Sequence, residues 1–129
     1  MSEVSMSEMK KTIADFLELG HVENIISLFK KETVYYCLAG DLINDERYMV
    51  RMGMVILFEE LVKIRPEEVK LAVPSLINLM RQEISMNVRG DALTLLGVIG
   101  GPAADAQLKH YANSEEPQLA EIARDFVCK

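Results

Sequence analysis

Aromatic side chains are scarce in this chain, which has no tryptophan and only 6% aromatic residues although half of its residues are hydrophobic. Aliphatic and methionine side chains must therefore fill the core, and this composition favours the packing of helices against helices. The eight methionines are mainly expected to fill irregular gaps in that core, because the side chain is flexible. A methionine-rich recognition groove is the alternative.

Positive charge is also scarce, with 14 Lys and Arg residues against 20 Asp and Glu residues, a net charge of −6. The excess of acidic residues lies mostly in the two ends of the chain, and no basic stripe emerges. Neutralisation of phosphates supplies most of the non-specific affinity for nucleic acid. The composition therefore argues against a nucleic-acid partner.

The chain lacks the sequence features of secreted and membrane proteins. Cys37 and Cys128 are far apart, and a lone pair of this kind is better explained as reduced thiols. The N-terminal residues 1–4 do not have the charged and then apolar order of a signal peptide. The longest uncharged run, residues 92–104, is interrupted by Gly-Gly-Pro and is shorter than the ~20 residues that span a bilayer. We expect a soluble, cytoplasmic protein with no membrane partner.

Catalytic and metal-binding patterns are missing as well. His21 and His110 are the only histidines, and no His-x-x-x-His, Cys-x-x-Cys or acidic cluster has the spacing of a metal site. The glycines of residues 97–102 resemble a phosphate-binding loop only superficially, because no Lys-Ser/Thr pair follows. Cys37 has no histidine partner and is expected to be a buried, small apolar residue. We predict no catalytic, cofactor-binding or metal-binding residue.

Helical periodicity runs nearly from end to end, without convincing β-alternation. One domain, residues 1–129, is predicted, and its most apolar helix, the fourth, should be the central rod. Gly100-Gly101 should end the sixth helix and Pro102 should start the seventh. Pro74 should bend the fifth helix. The predicted helices are residues 5–19, 22–31, 33–43, 46–64, 66–80, 86–99, 102–112 and 116–128, of which the second and third could be one bent rod.

These helices group into four antiparallel pairs, because the turns between them are short. The pairs begin near residues 5, 33, 66 and 102, roughly 28 to 36 residues apart, which is typical of solenoid repeats. The continuous core between neighbouring pairs is predicted to include Leu57, Leu61, Leu76, Leu96 and Ile99.

The segment from Glu83 to Arg89, followed by Ala92, Leu96-Gly97, Ile99-Gly100 and Pro102, resembles the HEAT repeat of the type named after phycobilisome lyases. Asp45 and Arg51 repeat the six-residue spacing of Glu83 and Arg89, whereas a third copy has Ala120 in the place of the Arg. The resemblance covers residues 45–128 and is weak before them. It implies an all-α, right-handed α-α superhelix of about four helix pairs.

The repeated acidic and basic pair has a physical role in such an array. We expect Asp45 and Glu83 to cap helix N-termini, and Arg51 and Arg89 to reach carbonyls or carboxylates of the adjoining repeat. These four residues are interpreted as a structural ladder between repeats, with a ligand site as the alternative.

A short array of this kind favours binding over catalysis. We predict a non-catalytic protein-interaction module or scaffold that binds a protein or peptide, of some basic character, on the concave face of its second helices. Arg47, Tyr48 and Arg124 are the candidate contact residues, chosen as Arg or Tyr positions on or beside those helices. The alternative is an accessory protein or enzyme of the HEAT-like lyase or base-excision type, which would need an apolar tetrapyrrole pocket or a basic groove.

Overall fold

A computed structural model describes residues 5–127, which contain helices and short 3₁₀ segments but no β-strand. The prediction of an all-α chain is confirmed for this part of the sequence. The α-helices are α1 (Met6–Glu18), α2 (Val22–Lys31), α3 (Ala39–Ile43), α4 (Tyr48–Ile64), α5 (Val73–Met80), α6 (Met86–Ile99), α7 (Pro102–Ala112) and α8 (Pro117–Val127).

The second, sixth and seventh helices have the predicted bounds, and the second and third are separate elements. Glu32 is extended, with φ −135° and ψ 105°, and this residue ends α2. The predicted third and fifth helices each begin as a 3₁₀ segment, Thr33–Leu38 and Glu68–Ala72, and continue as α3 and α5. Cys128, at the predicted end of the last helix, lies outside the described residues.

The predicted bend at Pro74 is wrong, because Pro74 occupies the first turn of α5 and not its interior. The α-helical part starts at Val73, after the 3₁₀ segment. A proline at this position removes an N–H that has no partner within the helix in any case, and its fixed φ suits a helix start. Pro74 therefore marks the change from 3₁₀ to α geometry.

The helices form two rows. In the first row α3 contacts α5 and α5 contacts α7, whereas in the second row α4 contacts α6 and α6 contacts α8. Both α1 and α2 pack against α4. Helix α4 contacts α1, α2, α3 and α6, but α6 contacts five helices, so the prediction of α4 as the central rod is only partly correct. None of the helices within residues 5–127 is long and apolar enough to cross a membrane.

A single apolar core runs through both rows. The five predicted core residues are all buried, with 4% exposure for Ile99 and none for Leu57, Leu61, Leu76 and Leu96. The expectation for methionine is only partly correct. Among the described methionines only Met54 and Met80 are buried, while the others are partly or largely exposed, most of all Met49 at 51%.

Two glycines permit close helix contacts within the rows. A Cβ atom at Gly40 would lie 2.5 Å from the backbone oxygen of Ser75, and one at Gly97 would lie 2.5 Å from the ring of Phe126. The Gly40 N–H donates to the Ser75 hydroxyl at 3.0 Å. Small residues at these positions therefore set the distance between α3 and α5 and between α6 and α8.

Candidate functional site

Arg51 connects three parts of the second row from a buried position, with 6% of the residue exposed. Its Nε donates to the carboxylate of Asp91 on α6 at 2.7 Å. Its Nη1 donates to the backbone oxygens of Asp45 and Glu46 at 2.8 and 2.9 Å. The guanidinium therefore fastens the start of α4 to α6, which is the link between repeats that the sequence predicts for this residue.

Arg89 makes a different contact, and the expected link to an adjoining repeat is wrong for it. Its Nη1 donates to the Met80 oxygen at 2.7 Å and its Nη2 to the Gln82 oxygen at 2.8 Å. Both carbonyls belong to the end of α5 and the turn after it, within the same helix pair. Arg89 therefore closes the C-terminal end of α5, where a cation is favoured by the helix dipole.

The expected capping roles of Asp45 and Glu83 are also wrong. The Ser85 hydroxyl caps α6 by accepting from the N–H of Val88 at 3.2 Å, whereas Glu83 lies two residues before that cap and is exposed. Helix α4 begins without a side-chain cap. Asp45 instead accepts a hydrogen bond from the N–H of Arg47 at 2.9 Å, so its carboxylate holds the turn that precedes α4.

Arg124 repeats on α8 the carbonyl contact that Arg51 and Arg89 make on their helices. Its Nε donates to the oxygen of Ala112, the last residue of α7, at 3.1 Å. The third sequence copy has Ala120 at the aligned position, and Arg124 lies one helical turn later on the same face. All three second-row helices α4, α6 and α8 therefore carry an arginine bound to backbone oxygens at the end of the preceding helix or in the turn after it.

Arg47 ties α1 to the start of α4. Its Nη1 donates to Asp15 at 3.1 Å and to Glu18 at 3.0 Å, and its Nη2 lies 2.9 Å from the carboxylate of Asp45. Hydrogen bonding to the Arg47 guanidinium lowers the pKa of Asp15 and of Asp45, and the same contacts raise the pKa of Arg47. Two of the three predicted contact residues, Arg47 and Arg124, thus form hydrogen bonds within the chain. The third, Tyr48, is 57% exposed.

Replacement of Arg47 with methionine should weaken the acid sensitivity of the fold. Asp15 and Asp45 have lowered pKa values in the folded chain, so their contribution is complete above the unfolded pKa near 4 and is lost as the pH falls through the folded values. In urea unfolding between pH 5 and pH 2, the free energy of unfolding should fall less steeply for Arg47→Met than for the unmodified chain. Lys109→Met is the control and should behave like the unmodified chain. A slope equal to that of the unmodified chain would contradict this assignment.

Helix α4 presents an uncovered apolar face, named here the α4 stripe and consisting of Tyr48, Met49, Met52, Val55 and Ile56. Tyr48 is 57% exposed, Met49 51% and Ile56 41%, and the other two are partly exposed. The high apolar content of α4 predicts cover on most sides, and this face departs from that prediction.

A cleft of about 280 Å³ lies at the N-terminal ends of α6 and α8. It is lined by Met86, Asn87, Gly90, Asp91, Gln118, Glu121 and Ile122. Arg51 joins the two surfaces, because it binds Asp91 and its guanidinium carbon lies 5.9 Å from the ring centre of Tyr48. The buried Arg51 side chain therefore contacts one residue of the α4 stripe and one residue of this acidic cleft.

The histidines and the described cysteine do not assemble a reactive site. The ring of His21 packs edge-on against Phe16 at 5.9 Å, and that of His110 against Tyr111 at 4.9 Å. Within residues 5–127 no three His, Cys, Asp or Glu residues are grouped so that they could hold a metal ion. Cys37 is exposed, so the prediction that it is a buried apolar residue is wrong.

Comparison with known proteins gives no relative from which a role could be transferred. No protein-family model, curated protein or solved structure matches this chain. The HEAT-repeat resemblance rests on the sequence segments described above and stays a prediction.

Proposed function

We propose that this chain is a non-catalytic, cytoplasmic protein-interaction module whose helix pairs stack as a HEAT-like, right-handed superhelix. The two rows of contacts, α3–α5–α7 and α4–α6–α8, support this arrangement, because stacked repeats contact their neighbours helix by helix. In such a stack the second-row helices share one uncovered side, which is the side proposed for binding.

The observation that carries the proposal is the exposure of the α4 stripe. Tyrosine and methionine are enriched in protein interfaces, and tyrosine is frequent among the residues that contribute most to binding. Tyr48, at 57% exposure, is the principal contact residue. Arg47 precedes Tyr48 and ties the start of α4 to α1, whereas Arg124 binds the last residue of α7.

The charges around the stripe indicate the character of the partner. Glu59 and Glu60 follow the stripe on α4 and are exposed, with Glu60 paired to Lys63 at 3.3 Å, and Asp91 and Glu121 line the cleft between α6 and α8. A basic amphipathic helix fits such a surface, because its apolar face covers the stripe while its Lys or Arg side chains meet these carboxylates. Binding should weaken as salt is added, since the ion pairs at the rim are screened.

Loss of the stripe should abolish partner binding without unfolding the chain. We expect immobilised protein to capture a basic partner from native cytosol, and the Tyr48→Ser/Ile56→Ser variant to lose it. With the purified partner, calorimetry should show a Kd at least about tenfold higher for the variant, about 1.4 kcal/mol.

Val34→Ser/Leu71→Ser is the matched control, because these two side chains are 51% and 54% exposed and lie in the 3₁₀ segments of the first row. Equal affinity of both variants and the unmodified chain would refute the assignment of the stripe. Turnover of a small molecule by the purified chain would instead favour the alternative, an accessory protein or enzyme of the HEAT-like lyase or base-excision type.

A further inference from the structure

A groove of about 420 Å³ runs along the outer side of the first row, between α5 and the start of α7. One wall is a single face of α5 and of the 3₁₀ segment before it, since its residues recur at helical spacing. The other wall is the turn of Gly100 and Gly101 with the first residues of α7. The lining residues on α5 and its 3₁₀ segment are Lys70, Val73, Pro74, Ile77, Asn78 and Arg81.

The glycine turn keeps this groove open. Gly100 and Gly101 have φ values of 75° and 95°, which side-chain-bearing residues rarely adopt. A Cβ atom at Gly101 would lie 3.3 Å from Cε of Lys70. Because the turn has no side chains, Ile77 stays partly exposed at the floor of the groove, next to Val73, which is 5% exposed.

The charge of the groove is opposite to that of the chain as a whole. The chain has a net charge of −6, yet among the described residues Lys70 and Arg81 are the only ionisable side chains that line the groove. Arg81 forms no ion pair within residues 5–127, and Lys70 pairs at 3.1 Å with Glu67, whose side chain is 84% exposed. Such an exposed pair contributes little and is readily exchanged for another carboxylate.

The two cations lie at opposite ends of the apolar floor. Lys70 lies in the 3₁₀ segment before α5 and Arg81 follows the last residue of α5, which places them roughly 18 Å apart at a rise of about 2.0 Å per 3₁₀ residue and about 1.5 Å per α-helical residue. An occupant that satisfies both must carry two acidic groups separated by apolar ones. A segment of about five extended residues spans that distance, whereas a small apolar acid with one carboxylate would reach one end only.

We propose that the groove between α5 and α7 binds an acidic peptide segment of a partner protein, with apolar side chains on Val73 and Ile77 and carboxylates at Lys70 and Arg81. This site lies on the first row, whereas the proposed basic partner binds the second row. The chain would thereby hold two partners of opposite charge on its two rows.

Selection of peptides on the full chain tests this assignment. A phage library of random 12-residue peptides should yield sequences in which Asp or Glu flank apolar residues. In nitrogen–proton correlation spectra, the strongest synthetic peptide should shift the amide signals of Val73, Ile77, Ala103 and Ala104. Its Kd should rise about tenfold or more in Lys70→Glu/Arg81→Glu, because rim attraction becomes repulsion.

Lys30→Glu/Lys109→Glu is the matched control, because it makes the same change in net charge at exposed cations that do not line the groove. Its affinity should equal that of the unmodified chain. Selected peptides that are basic, or an equal loss in both charge-reversed variants, would overturn the proposal. Shifts of these amide signals with decanoate but with no selected peptide would also overturn it, in favour of a small apolar acid.

Discussion

Replacement of Leu96 with alanine should lower the free energy of unfolding by about 2–5 kcal/mol, the range for a large buried aliphatic residue reduced to alanine. Leu96 has no exposed surface and lies on α6, which contacts α4, α5, α7 and α8. A cavity there would remove packing between the two rows and between neighbouring pairs. The surrounding helices cannot close it easily, because Gly97 already sets the distance between α6 and α8.

Urea denaturation followed by circular dichroism measures this loss. The matched control is Leu71→Ala, since Leu71 is 54% exposed and a surface replacement changes stability by only about 0.5 kcal/mol. A decrease of less than about 0.5 kcal/mol in the free energy of unfolding for Leu96→Ala would show that this face of α6 is not packed in the core.

Helical periodicity predicts the fold to the extent that apolar stripes identify buried faces. The bounds of α6 and α7 follow from one stripe and from the Gly100-Gly101-Pro102 stop and start signal. The same reasoning fails at Pro74, because periodicity does not distinguish a 3₁₀ segment followed by a helix start from one bent helix. It also cannot show that one face of a very apolar helix stays uncovered, as Tyr48 and Ile56 do on α4.

The arginines show how much of a candidate site a sequence can predict. Their spacing marks Arg51 and Arg89 as equivalent, and both do bind backbone oxygens. Which oxygens they reach depends on the length and path of the preceding turn, which the spacing does not encode. Arg124 takes the corresponding role one turn later than expected, and a search for Arg one helical turn away on the same face would have found it.

Replacement of Arg51 with methionine should cost about 3 kcal/mol of unfolding free energy, at the low end of the range for breaking a buried ion pair. Methionine keeps the unbranched stem and part of its packing but removes every donor. The backbone oxygens of Asp45 and Glu46 then lose their partner in a part-buried turn, and each unsatisfied group costs about 1–3 kcal/mol. The loss of its ion pair costs Asp91 less, because its side chain is 35% exposed and can bind water instead.

The comparison with two other arginines separates this link from the general effect of removing charge. Arg81→Met should change the free energy of unfolding by no more than about 0.5 kcal/mol, because the Arg81 side chain is exposed and forms no ion pair within residues 5–127. Arg89→Met should fall between the two, since it frees the Met80 oxygen in a part-buried site but the Gln82 oxygen in an exposed one. Equal losses for Arg51→Met and Arg81→Met in urea denaturation would show that Arg51 does not fasten α4 to α6. A large loss at Arg51 alone would support Arg51 as the link that fastens the start of α4, which carries Tyr48, to Asp91 on α6.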